Sequence, residues 1–458
     1  MSMYLSLTKK VDSFLDNDFI KELYVILMAL VTMMGWRFNT IIGISTLLGV
    51  SIVMIILSGS LNYIIPNLIY FIFNINKGFT PTEFPLYLII LIVVLIVVLI
   101  IFTIINGFKL KKLKSIIGLL GMGIFMLIPI IWFKAYKPEQ EIFRFIYLAG
   151  LAYALLYVLV VNGLKGDTIS ILVRAMSFLP IILCYENAYT AYSLKDTTDN
   201  ILKLTYFLGW GLCNESGIMI CMSLPFIFYL IGNNEKIYCN IYNNLKVIVA
   251  IIGIVLTTSR GSYLFGGLII AASYFGLLFV AKDKRKYLIS FMVGVVAILV
   301  LAVIFRENLF ELYKKIKSLV FDHGLDNSDR VDLWKEAFTI FKSNPRNIIL
   351  GQGFSSVIRD TYTAAGYQSS IIVFHSTLFE SLVIGGICGT IFLGIHFIEK
   401  YKAIFKINKL FAVTMLIGYV AVDIYGMIDN TYFMYYYMVT LMVIMASIDS
   451  TIYYKNMN

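Results

Sequence analysis

The chain has 458 residues, of which 60% are hydrophobic and 14% charged, and its formal net charge at pH 7 is +10. This composition, with a mean hydropathy of +0.85, excludes an ordinary soluble domain, because such domains carry about 25% charged residues. The basic residues cluster between apolar runs, where membrane topology explains them without a nucleic-acid partner.

Apolar runs recur along the whole sequence, and their lengths suit transmembrane helices. Residues 88–105 are nearly unbroken Ile, Leu, Val and Phe, unlike the alternating segments of an outer-membrane barrel. The sequence therefore predicts an all-α polytopic membrane protein with about 12 to 14 transmembrane helices. The spans are expected near residues 22–36, 41–58, 62–74, 85–107, 115–133, 143–162, 168–193, 204–231, 245–257, 261–281, 288–305, 372–396, 411–427 and 431–449, of which the third and ninth are short.

Other sequence features indicate one continuous membrane domain over residues 1–458. The five cysteines form no CxxC pair, so neither a disulfide framework nor a zinc site is expected. No internal repeat or Pro/Gly/Ser-rich linker marks a second domain. No small-residue cleavage site follows the N-terminal lysines, so the first apolar run is predicted to be an uncleaved span.

The orientation follows from three basic loops, at residues 109–114, 282–286 and 400–409. The positive-inside bias places all three in the cytoplasm. Counting spans from these loops puts both termini inside, residues 306–371 in a large extracytoplasmic loop, and Arg260 at the outer end of its helix. We expect a multi-pass protein of the cytoplasmic (inner) membrane whose active site is extracytoplasmic.

The long polar loop contains one predicted helix. Asn327 or Ser328 can cap an amphipathic helix near 328–343, and Asn344-Pro345 ends it. Its apolar positions fall on one face: Val331, Trp334, Phe338 and Phe341. Such a helix lies on a membrane surface or covers a cavity.

Three residues are the main candidates for chemistry. His375 begins an apolar run, where an ionisable side chain is costly unless it faces a polar cavity, and an imidazole can take a proton from a hydroxyl near neutral pH. Arg260 and Arg330 could grip a phosphate or diphosphate bidentately. The structural alternatives are a histidine bonded to a backbone carbonyl, an arginine extended to the lipid headgroups and a solvated loop arginine.

A second group could contact an acceptor or support the site. Glu186, Glu215 and Glu380 fall within spans, where they could orient an arginine, contact a sugar, or form buried pairs between helices. Tyr362 and Tyr367 lie in a polar stretch of the loop, where they could stack on sugar rings or pack at the membrane interface.

Five segments in order carry a resemblance to a known family. They are CNESGIMICMSLPF from residue 213, TTSRGSYLFGGL from 257, SDRVDLWKEAF from 328, GQGF from 351 and FHSTLFESLVIGGICG from 374. Together they resemble the C-terminal half of the O-antigen polymerase and O-antigen ligase family of membrane glycosyltransferases. The resemblance covers about residues 205–400, while earlier residues match only in being apolar spans.

The resemblance implies a GT-C-like fold and a polyprenyl-diphosphate-linked oligosaccharide as donor. It implies that His375 deprotonates the acceptor hydroxyl and that Arg260 and Arg330 hold the donor diphosphate, with no metal and no cofactor. The chain departs from the family pattern at Ser376 and at Asn214-Glu215-Ser216, which leaves the acceptor contacts open. Expected partners are the donor, a lipid-linked acceptor, the bilayer, and chain-length regulator and flippase proteins.

Three functions are compatible with these features. The first is a polymerase that joins lipid-linked repeat units of a capsule or O-antigen. The second is a ligase that transfers the finished glycan to a different acceptor. The third is a lipid-linked oligosaccharide flippase or other transporter, which usually needs paired halves and a site at the membrane midplane. The polymerase is favoured.

Overall fold

The computed structural model describes residues 11–457 except 12–13, 79–85, 133–149, 194–209, 305, 307–309, 311–327, 354–357, 364–365 and 372–373. Parts of the predicted spans at 143–162 and 204–231, and most of residues 306–327, therefore lie outside the described residues. The helices are α1 Asp18–Phe38, α2 Thr40–Ser58, α3 Ile64–Gly78, α4 Leu86–Asn106, α5 Ile117–Leu127, α6 Leu151–Gly163, α7 Ile169–Ser193, α8 Cys213–Asn233, α9 Ile237–Leu256, α10 Arg260–Val280, α11 Lys284–Ile304, α12 Ser328–Lys342, α13 Pro345–Leu350, α14 Thr377–Ile404, α15 Lys409–Met427 and α16 Tyr435–Lys455.

The prediction of an all-α polytopic membrane protein is confirmed. Within the described ranges, nine helices are long and apolar enough to cross a membrane, namely α1, α2, α7, α8, α9, α10, α14, α15 and α16. Shorter apolar helices lie at Ile64–Ile75, Ile92–Ile105, Ile117–Ile131 and Leu151–Gly163. One feature differs from a purely helical fold: strands β1 Ile358–Thr363 and β2 Gly366–Ile371 form an antiparallel hairpin.

Asparagine caps allow the helices to follow one another closely. Asn39 stands alone between α1 and α2, and its Oδ1 accepts the N–H of Ile41 at 2.9 Å. Asn408 caps α15 in the same way, accepting the N–H of Phe411 at 2.8 Å. A cap side chain satisfies an N–H group that the first helical turn leaves unpaired. The two connections are therefore short, with one residue between α1 and α2 and four between α14 and α15.

The centre of the bundle is formed by α7, α8 and α16. Their most apolar windows are 78%, 94% and 89% buried, whereas that of α10 is 28% buried. The outer surface of α10 carries Leu264, Leu268 and Phe275, which are exposed. Apolar side chains that face lipid need no protein cover, so α10 belongs to the periphery of a membrane bundle.

The two ends of the bundle can be told apart. Helices α8 and α10 run in the same direction, because Gly217 lies against Ser262 near their starts and the N–H of Lys282 donates to the carbonyl of Gly232 near their ends, at 2.9 Å. We call the end with Arg260 and the start of α8 the site end. The other, with Lys282, is the basic end. The two lie about 30 Å apart along the 21 residues of α8.

Helix α14 is broken in the middle. Gly386 has φ 61° and ψ −160°, which no helix contains. The hydroxyls of Ser381 and Thr390 are 3.1 Å apart, although nine residues of one straight helix would separate them by about 13.5 Å. The chain therefore folds back at Gly386. The sequence predicts one span near 372–396, and the structure has two shorter helical halves there.

The break at Gly386 is held by the loop that follows α13. The N–H groups of Gln352 and Gly353 donate to the carbonyls of Val383 and Ile384, at 2.8 and 3.1 Å. A Cβ at Gly386 would come within 2.6 Å of the Ile349 carbonyl. Glycine is required because the residue combines a positive φ with close approach of another backbone.

We expect Gly386→Ala to destabilise the protein by about 1–3 kcal/mol, because alanine is strained at positive φ and its methyl group would meet backbone. Thermal unfolding of purified protein in detergent measures the change. Gly394→Ala is the matched control, since it lies in the same helix with nothing within 4 Å of an added Cβ. Equal unfolding temperatures for the two variants would contradict a required break at Gly386.

Candidate functional site

The candidate residues converge on the turn at residues 428–430, between α15 and α16. The backbone carbonyl of Asp429 accepts hydrogen bonds from the N–H and the hydroxyl of Thr377, at 3.0 and 3.2 Å. The carbonyl of Ile428 accepts Nη1 of Arg330 at 2.6 Å. This turn therefore joins α12 and the start of α14 to the end of α15.

His375 stands beside the turn in an unusual backbone conformation. Its φ is 49°, a value that non-glycine residues adopt rarely. Its Nδ1 lies 3.6 Å from Oδ1 of Asp429, and the side chains of His375 and Asp429 are 40% and 2% exposed. The imidazole is thus reachable from outside, while its carboxylate neighbour is buried. Oδ1 of Asp429 also accepts the N–H of Asn430 at 2.9 Å.

Helix α12 fixes the residue before His375. One turn after Arg330, Trp334 donates from Nε1 to the carbonyl of Phe374 at 3.0 Å. Its ring also stacks on Phe379, with centroids 5.5 Å apart. The residue before His375 is therefore held by the same helix that supplies Arg330. A strained conformation persists only where its surroundings hold it in place.

Glu380 contacts the same residue, Phe374, at its backbone N–H. Glu380 is 4% exposed, and its carboxylate feels the charge of Asp429. Oε1 of Glu380 has no hydrogen-bond partner among the described residues. Glu380 thus supports the backbone at His375, whereas Ser376 accepts the N–H of Phe379 at 3.4 Å and caps α14.

Arg260 is the first residue of α10 and is exposed. The turn before it contains Thr258 at φ 54°, and Ser259 caps the helix by accepting the N–H of Ser262 at 3.3 Å. The Ser259 hydroxyl is also 2.9 Å from the hydroxyl of Tyr425 in α15. Tyr425 accepts the N–H of Ile428 at its carbonyl, at 3.1 Å. The start of α10 is thereby joined to the turn that holds Arg330.

Asn214 and Glu215 lie at the start of α8, beside the same cap. Oδ1 of Asn214 accepts the Ser259 hydroxyl at 2.7 Å. Oε2 of Glu215 accepts the N–H of Leu212 at 2.9 Å, and the residue interacts electrostatically with Asp429. Asn214 therefore positions the turn before Arg260. Glu215 satisfies the helix start and adds negative charge near the turn at 428–430.

The structure places Glu186 in a different cluster at the site end. Its carboxylate forms an ion pair with Arg37 of α1, and its side chain is 1% exposed. The sequence left open whether Glu186 orients an arginine, and in the structure the arginine is Arg37. Tyr362 and Tyr367 are paired in the hairpin register. Their side chains lie outside the described part of the chain.

Sequence reasoning missed Asp429, Tyr425 and Trp334 as parts of the site. Asp429 lies in a short loop between predicted spans, and Tyr425 lies within an apolar span. Neither position has a sequence pattern that indicates a functional role. A usable signal was present for Asp429. It is a carboxylate in a three-residue loop on the same predicted side as His375, and a histidine base commonly needs such a partner.

A buried ion pair between Lys400 and Asp423 is connected to the turn at 428–430 through Tyr432. Nζ of Lys400 lies 2.7 and 2.6 Å from the two carboxylate oxygens of Asp423 and donates to the Tyr432 hydroxyl at 2.8 Å. The Tyr401 hydroxyl donates to Asp423 at 2.5 Å. Lys400 belongs to the second half of α14, and Tyr432 follows Asp429 by three residues. The pair thus links the far half of the broken helix to the turn.

A cavity of about 930 Å³ lies at the opposite end of the bundle. Its lining includes Asp16, Lys21, Arg174 and Asn233, and Asn233 ends α8 at the basic end. It is therefore separate from the residues that converge on the turn. Within the described residues, no group of three or more His, Cys, Asp or Glu is placed to hold a metal ion.

One comparison with known proteins bears on the family. Residues 245–394 match the family model described as O-Antigen ligase. The match supports an O-antigen ligase- or polymerase-like family for this chain. It confirms the resemblance over four of the five segments, since the segment at 213–226 lies outside it, and Arg260, Arg330 and His375 all lie within it. The turn at 428–430 lies outside it. No curated protein matches the chain.

The match to the family model supports an activity in general terms. An O-antigen ligase- or polymerase-like protein is an enzyme of the glycosyltransferase type that acts on lipid-linked glycans in a membrane. The apolar helices agree with this setting, because substrates with a lipid tail are reached from the bilayer. The match therefore supports activity of this general type, and the helices support a multi-pass membrane protein.

We expect Lys400→Met to lower stability by about 3–5 kcal/mol, because it leaves the carboxylate of Asp423 buried without its cation. The side chains of the pair are 0% and 10% exposed. The double variant Lys400→Met/Asp423→Leu should recover much of this loss, and thermal unfolding of the purified variants measures both. A Lys400→Met protein as stable as wild type would show that the pair does not support the turn.

Proposed function

We propose that the protein is a polysaccharide polymerase, which transfers a polyprenyl-diphosphate-linked glycan onto a sugar hydroxyl of another lipid-linked repeat unit. One observation carries this proposal. His375 and Arg330 both rest on the turn at 428–430, and Arg260 is joined to that turn through Ser259 and Tyr425. The product would be a capsule or O-antigen chain, made at the outer face of the cytoplasmic membrane on a GT-C-like fold.

The proposed reaction is a single displacement at the anomeric carbon of the donor. The acceptor oxygen forms a bond to that carbon, and the bond between the carbon and the diphosphate oxygen breaks. The acceptor proton moves to His375, and the electron pair of the broken bond leaves with the polyprenyl diphosphate. A diphosphate is a good leaving group when its charge is stabilised, so one base and fixed cations suffice.

His375 would act as the base through its Nε2. Its Nδ1 faces the carboxylate of Asp429 at 3.6 Å, slightly longer than a hydrogen bond. Catalytic hydrogen bonds are often long in the absence of substrate and tighten in the substrate complex. A hydrogen bond from Nδ1–H to Asp429 would fix the tautomer that leaves Nε2 free to accept a proton.

The two arginines would bind the donor diphosphate. A guanidinium group binds phosphate oxygens bidentately and stays charged at any physiological pH. Arg330 is fixed by its bond to the Ile428 carbonyl. Arg260 lies at the start of a helix of 21 residues, where the backbone N–H groups and the helix dipole also favour an anion. The two guanidinium groups and the start of α10 would stabilise the negative charge that develops on the diphosphate as it leaves.

A ligase that transfers the finished glycan to another acceptor is the second candidate, since the matched family model carries that description. Both activities use the same donor chemistry, and the residues above serve either one. The difference lies in the acceptor.

We expect His375→Ala to abolish glycan transfer while donor binding is retained, because the base acts only in the transition state. The assay supplies purified protein with a defined lipid-diphosphate repeat unit and resolves the products by mass spectrometry. His323→Ala, a histidine of the polar segment outside the described residues, is the control. Full-length product from His375→Ala at matched protein amount would refute the assignment.

We expect Arg260→Lys and Arg330→Lys to weaken donor binding and to lower turnover by about 10- to 100-fold, because an ammonium cannot bind a phosphate bidentately. Binding of the lipid-diphosphate repeat unit and its turnover are measured separately. Arg306→Lys is the control, since Arg306 is an exposed arginine at the end of α11. Lysine variants that turn over as fast as wild type would remove the diphosphate role.

Glycan analysis of a deletion strain separates the two candidates. Loss of the polymerase should leave single repeat units on the lipid carrier, whereas loss of a ligase should leave long chains that are never attached. Complementation with His375→Ala should fail in either case. Purified protein that moves a lipid-linked sugar across liposomes but never extends or transfers it would contradict both.

A further inference from the structure

The site end of α7 carries an exposed row of tyrosines. Tyr185, Tyr189 and Tyr192 are 38%, 48% and 67% exposed. Their spacing of four and seven residues places them on one helix face. The most apolar window of α7 is 78% buried, so this exposed face is confined to the last turns of an otherwise central helix.

An arginine from a different helix holds this row in place. The guanidinium of Arg37 lies over the ring of Tyr189, 3.4 Å from its centroid, and 5.1 Å from that of Tyr185. Nε of Arg37 also donates to the Tyr185 hydroxyl at 3.2 Å. The buried carboxylate of Glu186 pairs with the same guanidinium. Two of the three rings are thereby fixed before any ligand arrives.

The row stands next to the proposed reaction site. Nδ2 of Asn187, between Tyr185 and Tyr189 in α7, donates to the Ser216 hydroxyl at 3.0 Å. Ser216 follows Asn214 by two residues, and Asn214 holds the turn before Arg260. The start of α8 therefore lies between the tyrosines of α7 and Arg260, which would bind the diphosphate.

Simpler explanations account for parts of this arrangement. A belt of tyrosines at the membrane interface is common, but it does not require a guanidinium stacked between two of the rings. An ion pair between Arg37 and Glu186 staples α1 to α7, but it does not require three exposed rings on one face. A rigid, amphipathic surface is what aromatic ligand-binding sites present.

We propose that Tyr185, Tyr189 and Tyr192 form a platform that binds the pyranose rings of the acceptor glycan. The apolar face of a sugar ring would pack on an exposed tyrosine, and its hydroxyls would meet the phenol groups and the fixed guanidinium of Arg37. Because Arg37 immobilises Tyr185 and Tyr189 in advance, these two rings lose little side-chain entropy when the glycan binds. The proposal rests on the proposed function, since it assigns the acceptor of that reaction.

The test is a binding measurement without donor, so that it does not depend on turnover. The probe is a single repeat unit released by mild acid from its lipid diphosphate carrier. Isothermal titration follows its binding to the purified full-length protein in nanodiscs. We expect saturable binding that Tyr189→Leu and Tyr192→Leu each weaken by about 3- to 10-fold, while Tyr189→Phe, which keeps the ring, weakens it less.

Tyr238→Leu is the matched control. Tyr238 is 62% exposed and lies 5.8 Å beneath the ammonium of Lys236, but it sits at the start of α9, at the basic end. It should bind the repeat unit like wild type. Because Tyr192 is exposed and lies near the end of its helix, Tyr192→Leu should fold even if Tyr189→Leu does not.

Two results would overturn the platform. One is a wild-type protein without saturable binding at probe concentrations up to about 10 mM. The other is equal affinity for wild type, Tyr189→Leu and Tyr192→Leu. The proposed function fails separately: a protein that binds the repeat unit through these tyrosines but never transfers a lipid-linked glycan keeps the platform and loses the polymerase.

Discussion

Two backbone carbonyls in a three-residue turn hold the candidate site together. The carbonyl of Ile428 accepts Arg330, and that of Asp429 accepts Thr377 at the start of the broken helix. A carbonyl between two membrane helices must find a donor, because unpaired polar groups are costly away from water. Hydrogen bonds to these two carbonyls therefore bring Arg330 and the segment with His375 to the same turn, although they are distant along the chain.

The fold was largely predictable from sequence, because hydrophobic run length is the strongest signal a membrane protein offers. The helix expected near 328–343 occupies Ser328–Lys342. The fold-back of α14 was not predictable, since Gly385 and Gly386 lie in a run that is apolar throughout. Hydropathy reports burial in lipid and contains no information about a change of direction at one residue.

The candidate site was predictable only in part. His375 and Arg260 stood out because charged groups are rare in apolar sequence, and Arg330 stood out through the family resemblance of its segment. Their supports did not stand out, because Tyr425 and Trp334 are aromatic residues of a kind found in any span or interface. Asp429 acts through a contact 54 residues from His375 along the chain, and one sequence without relatives cannot reveal such a pairing.

The backbone bonds between residues 352–353 and 383–384 close the intervening segment into a loop with a fixed base. Everything within it, including the β-hairpin, begins and ends at the same rigid junction. Loop closure costs rise slowly with length, so a descendant could lengthen or rewrite the hairpin while that junction stayed intact. The fold therefore permits the hairpin sequence to diversify while the break in α14 stays constant.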